Sequence, residues 1–114
     1  MHDETLHQQR LLREIEHATR LVNREVINPL IQELTSDDLL PLMAVVAKAR
    51  GKYLAAMFRM TAESRDHVLT AEQVKELRDL RETYEEILAG ARALETAIAR
   101  GYLDVKWKAM GGDD

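Results

Sequence analysis

"VKELRDLRETYEEILAGARALETAI", Val74 to Ile98, is the stretch on which the fold turns. Leu77, Leu80, Tyr84, Ile87, Ala91, Leu94 and Ile98 follow one another in alternating steps of three and four. That spacing lines side chains along one side of a helix of 3.6 residues per turn. A seam held this strictly over successive heptads specifies a helix packed at a shallow angle against another helix. At this length, one helix of an antiparallel bundle accounts for the period better than a coiled coil. Both ends are signposted. Thr70 with Gln73 three residues on forms a capping-box pattern, and Gly101 is a natural stop, giving a helix over residues 71–100.

Upstream, "LTSDDLLPL" reads as a helix start. Thr35 or Ser36 can cap the free N–H groups, Asp37 and Asp38 suit the positive helix end, and Pro41 falls near the first turn, where proline is tolerated. The helix runs to about Ala62. Leu39, Leu42, Met43, Val46, Tyr53, Leu54, Met57 and Met60 are its apolar positions, while Leu40, Val45, Ala47 and Phe58 fall outside the main face. The first helix is expected from Asp3 to Asn28, on Leu12, Ile15, Thr19, Val22 and Val26, with Leu11 and Ala18 widening the stripe. Pro29 removes a backbone donor and pushes Asn28 away from helical angles, so the helix kinks there or a short separate piece follows. In the tail "YLDVKWKAMGGDD", Val105 and Trp107 alternate with Lys106 and Lys108, as in a short extended segment or a frayed amphipathic turn.

The expected fold is therefore all-α: an antiparallel bundle of three long helices, four if the piece beyond Pro29 forms its own. Residues 1–110 read as one domain and the last four, "GGDD" at 111–114, as a disordered tail. The 114-residue chain has few aromatics, two prolines, a formal charge of −4 and no cysteine. That excludes disulfides and thiolate chemistry, and gives no overall pull toward nucleic acid or anionic membrane. The N-terminus has no apolar run of the secretory kind, and the longest uncharged run, Leu39 to Ala47, is under half of the about 20 residues that span a membrane. A soluble cytoplasmic protein is the expectation.

Arg50 is the residue that the pattern does not absorb. It sits on the helical side of Leu39, Met43, Val46, Tyr53 and Met57. A charge buried there needs a partner. Glu25, Glu33 and Glu85 are candidates for an ion pair; snorkelling of the aliphatic stem is a second structural account. The functional account has Arg50 receive an anion or a partner's carboxylate in a groove. Gly51 beside it costs about 1 kcal/mol in a helix, acceptable for close approach of another backbone or on the solvent side. No acidic residue lies between Leu39 and Ala62, while Lys48, Lys52 and Arg59 share one face. They either form a solvated face that complements the acidic helices or contact phosphates.

Two E-x-x-H pairs, Glu4–His7 and Glu14–His17, have the spacing of di-iron bundles, but both lie on one helix and His17 projects away from the apolar stripe. His67 follows Glu63 in a loop. Neither a metal site nor a cofactor is expected. No glycine-rich phosphate loop, nucleophile elbow or Ser/His/Asp cluster is present, so no catalytic residue is nominated. Trp107 either docks on its own bundle or anchors another protein. Surplus apolar surface on a small helical chain calls for a cover, most simply a second copy. The sequence thus reads as a non-catalytic interaction module, a homodimer that also binds another protein through Arg50, Tyr53, Met57 and Trp107. A nucleic-acid-associated subunit using Lys48, Lys52 and Arg59 is the runner-up, and a helical metal- or ligand-binding protein the third reading.

Overall fold

A computed structural model describes residues 2–31 and 33–108; the tail expected to be disordered at 111–114 lies outside them. The described chain is mostly helical, with helices α1 (His2–Ile27), α2 (Leu39–Glu63) and α3 (Ala71–Ala99) and two short strands, β1 (Leu34–Thr35) and β2 (Val105–Lys106). It divides into two compact units, Asp38–Leu94 and Met1–Asp37 with Glu95–Asp114.

The unit Asp38–Leu94 is a helical hairpin. Bonds link Ser64 to Gln73, Arg59 to Glu76 and Arg50 to Tyr84, so α2 and this part of α3 run antiparallel. The joint is built as its sequence indicates: Gln73 N–H donates to Thr70 Oγ1 (3.1 Å), and Thr70 N–H donates to Gln73 Oε1 (2.9 Å). The start of α2 differs from expectation. A 3-10 turn over Ser36–Asp38 leads into it, and the N-cap residue is Asp38, with no side-chain cap bond. Ser36 is engaged elsewhere. Along α2 the buried residues Val46, Ala49, Ala56 and Met60 form the inner face, and Met60 is fully buried. The α3 seam faces inward as its period predicts: Leu77, Leu80, Tyr84, Ile87, Ala91, Leu94 and Ile98 are each half-buried.

In the other unit, α1 ends at Ile27, directly before Asn28–Pro29. A turn follows, closed by Leu30 N–H and Ile31 N–H on the Ile27 carbonyl. The piece beyond Pro29 continues as strand and 3-10 turn, so among the described residues no fourth α-helix precedes α2. β1 pairs with β2 in parallel, Leu34 opposite Val105 and Thr35 opposite Lys106. Helix α3 stops at Gly101, whose φ of +76° is left-handed. Gly101 N–H donates to Ile98 O and Tyr102 N–H to Ala97 O, the paired bonds of a Schellman cap. Ala97 and Leu103 are the buried apolar residues here. By contrast, the α1 stripe lies open, with Leu12, Ile15, Val22 and Val26 each more than half exposed.

Candidate functional site

Arg50 meets a phenol rather than a carboxylate. Its Nε–H donates to Tyr84 Oη at 3.1 Å, and the guanidinium carbon lies 5.4 Å from the Tyr84 ring centroid. Tyr53 stacks on the same ring, centroids 6.4 Å apart and planes inclined by 27°. The Arg50 side is exposed, so the charge remains hydrated and the desolvation that would force an ion pair does not arise. Of the carboxylates nominated for it, Glu85 pairs with Arg81 (3.7 Å) and Glu33 with Lys106 (2.9 Å). The ring holds the guanidinium by a cation–π contact. Met57, one turn beyond Tyr53, is half-buried. Arg50, Tyr53 and Tyr84 thus form one exposed-edge cluster; Tyr84 as its centre escaped the sequence reading, which sought only acidic partners.

The basic row is divided. Lys48, Lys52 and Arg59 are all exposed, but Arg59 is paired with Glu76 on α3 and with Glu63 at 4.0 Å. Lys48 and Lys52 enter no ion pair among the described residues. That leaves two adjacent ammonium groups, a short track for phosphate contacts.

On α2 an open apolar stripe joins Leu40, Ala47 and Phe58, which fall outside the expected main face, to Met43 and Leu54, which were expected on it. Leu40, Met43, Leu54 and Phe58 are exposed, Phe58 by 73%. At about 100° per residue they share one stripe with Ala47 and Gly51. A Cβ added at Gly51 would meet nothing within 4 Å. No neighbour among the described residues therefore requires this glycine; it sits on open helix surface.

In the other unit, the polar residues are mostly engaged in holding the fold. Arg24 spreads over the end of α3: Nη1 donates to Gly101 O (2.9 Å) and Asp104 Oδ1 (3.2 Å), and Nη2 to Asp104 Oδ2 (2.8 Å). Arg20 Nε–H donates to Arg100 O at 3.2 Å. Ser36 Oγ both donates to Lys108 O and accepts from Lys108 N–H, each at 2.9 Å. These bonds join α1 and β1 to the segment after α3. They enclose a cleft of about 370 Å³ lined by Arg24, Asn28, Leu34, Leu103, Asp104 and Lys106. Its charged groups already satisfy one another, which leaves little for a ligand to claim. Trp107, just beyond β2, is 82% exposed and does not dock on its own unit.

The Arg24 fork holds the Asp104 carboxyl below the ordinary carboxylate range, by its hydrogen bonds first and its charge second; Asp104 in turn raises the Arg24 value. A carboxyl with a depressed folded-state value contributes stability above its unfolded value, and the contribution is lost as pH falls through the folded value. Asp104→Asn is accordingly expected to narrow the gap between the urea midpoints at pH 7 and pH 2.5, because the wild type alone has this contribution to lose below about pH 4. An unchanged gap would show that the fork does not act in solution. The effect is modest, since the Asp104 side chain is 75% exposed.

Among the described residues no three His, Asp or Glu side chains come close enough together to hold a metal ion, and no helix is long and apolar enough to cross a membrane. Glu14 and His17 stand exposed on α1. Comparison of the chain with protein-family models, with curated proteins and with solved structures finds no match.

Proposed function

We propose that this chain is a non-catalytic interaction module of the cytoplasm, an adaptor, assembly factor or small regulatory subunit, that works as a homodimer and binds a further protein through its helix faces. The observation that carries the reading is the pair of long apolar rows left open to water, Leu12–Ile15–Val22–Val26 on α1 and Leu40–Met43–Leu54–Phe58 on α2. Contiguous exposed apolar rows of this kind mark association surfaces. The antiparallel bundle expected from the sequence is completed, in this reading, when those rows are covered. Arg50, held over Tyr84 with its outer nitrogens free of any carboxylate among the described residues, suits the carboxylate of a bound protein. Tyr53 and Met57 supply the apolar rim, and Trp107 is a second anchor. The phosphate reading has less support, since Arg59 is neutralised by Glu63 and Glu76.

Native mass spectrometry of the protein purified gently from its own cells tests this. Even-numbered oligomers, or a co-purifying polypeptide, are the expected species; a bare monomer counts against the proposal. Arg50→Leu refines it. The variant is expected to melt within a few degrees of wild type, since an exposed cation–π contact is worth about 0.5–1 kcal/mol, and to lose the bound protein. A shifted melting point with the bound protein retained would assign Arg50 to structure alone.

A further inference from the structure

We infer that helix α1 of one chain lies along the outer stripe of α2 in a second copy, and that the charges beside the two rows select this pairing over the alternatives. The inference rests on the reading of the chain as a self-associating module. It concerns which face meets which.

At about 100° per residue, the α1 row Leu12–Ile15–Thr19–Val22–Val26 is bordered by glutamate on both sides: Glu16 on one flank, Glu25 and Glu14 on the other. All three are exposed and enter no ion pair among the described residues. The α1 cations lie elsewhere. Arg20 and Arg24 sit roughly a third of a turn away, bound to the carbonyls of Arg100 and Gly101. Thus the face that α1 turns toward its own unit is the basic one, and the face it leaves open is apolar with acidic edges.

The α2 stripe is the complement. Arg50 borders it on one side and Lys48 on the other, with Lys52 about 40° further round beside Arg59, and α2 has no acidic residue until Glu63. Two α1 rows laid together would bring glutamates against glutamates, and two α2 stripes would bring cations against cations. Like charges across an interface cost several kcal/mol. Only α1 on α2 sets acidic edges against basic ones. In a two-fold dimer each chain offers one row and receives one. Lengths agree as well: Leu12 to Val26 rises about 21 Å and Leu40 to Phe58 about 27 Å at 1.5 Å per residue. Gly51, with open space at its Cα, lies midway along the receiving stripe, where a crossing helix comes nearest. Its missing side chain permits a closer approach of that helix.

Charge reversal in trans provides the test. One chain carries Lys48→Glu with Lys52→Glu, and another carries Glu16→Lys with Glu25→Lys; circular dichroism verifies that each is as helical as wild type. Sedimentation over a dilution series is expected to show wild-type dimers, with each doubly reversed chain dimerising at least about tenfold more weakly alone. Mixing the two is expected to restore dimers that contain one of each, because both contacts in the mixed pair are again acid on base. Reversed chains that stay apart on mixing, while a chain carrying all four changes behaves as wild type, would overturn the assignment to a second copy. A wild-type dimer indifferent to every reversal overturns this pairing but leaves the self-association reading standing. A wild-type chain that is monomeric throughout the series overturns both.

Discussion

Met60→Ala is expected to lower the unfolding free energy by about 2–5 kcal/mol, the cost of truncating a fully buried methionine and leaving a cavity. Met60 is 0% exposed, the one large side chain fully buried among the described residues. The loss is a large share of the about 5–15 kcal/mol that holds a domain together. At roughly 4 °C per kcal/mol, a fall in melting temperature of at least about 8 °C follows. Met43→Ala is the comparison. It makes the same chemical change on the same helix at a site 62% exposed, and in dilute protein it is expected to cost within about 0.5 kcal/mol. Equal effects of the two substitutions would mean that α2 does not bury the face assigned to it.

How far the sequence foretells this arrangement depends on the range of the interactions involved. The α3 seam, the Thr70–Gln73 cap and the Gly101 stop are each decided within a few residues by backbone geometry, and all three are found as their spacing predicts. The β1–β2 ladder was only half visible. Alternation at Val105–Lys108 suggested extended chain, but its partner lies 71 residues upstream at Leu34–Thr35, and two-residue strands carry no pattern of their own. The same distance explains Ser36, expected as an N-cap and found on Lys108. It explains the Arg24 fork too, since nothing within a turn of Arg24 hints at Asp104.

The contact that Arg50 makes with Tyr84 escaped the sequence for a different reason. Periodicity places a residue on a face but does not say how deep that face is buried. On an exposed edge, a phenol and an aromatic ring suffice where a buried site would need a carboxylate. The α1 row shows the converse. Its period is as regular as that of many core helices, yet within its own unit it is uncovered. The pattern encodes a need for an apolar neighbour without specifying whose chain supplies it; in the pairing inferred above, the flanking charges select which face that neighbour presents.

Leu103→Ala is expected to produce the second large loss, again about 2–5 kcal/mol, with a different distribution. Leu103 is 5% exposed and stands between the Gly101 cap and β2, in the cleft shared with Ile31 and Leu34. A ladder of two residues per strand is too short to hold itself together in water. The burial of Leu103, two residues before β2, is expected to keep that strand against β1, supported by the Arg24 fork and by Ser36 on Lys108. Truncating Leu103 therefore frees the strand before it loosens the helices. Hydrogen exchange is expected to accelerate first at Val105, Lys106 and Lys108, while amides over Val46–Met60 keep their protection. Acceleration spread evenly over both regions would mean that Leu103 contributes only to the stability of the whole chain. Selective loss at the strand would establish that one leucine, rather than the ladder bonds, fixes where β2 and the exposed Trp107 beyond it are displayed.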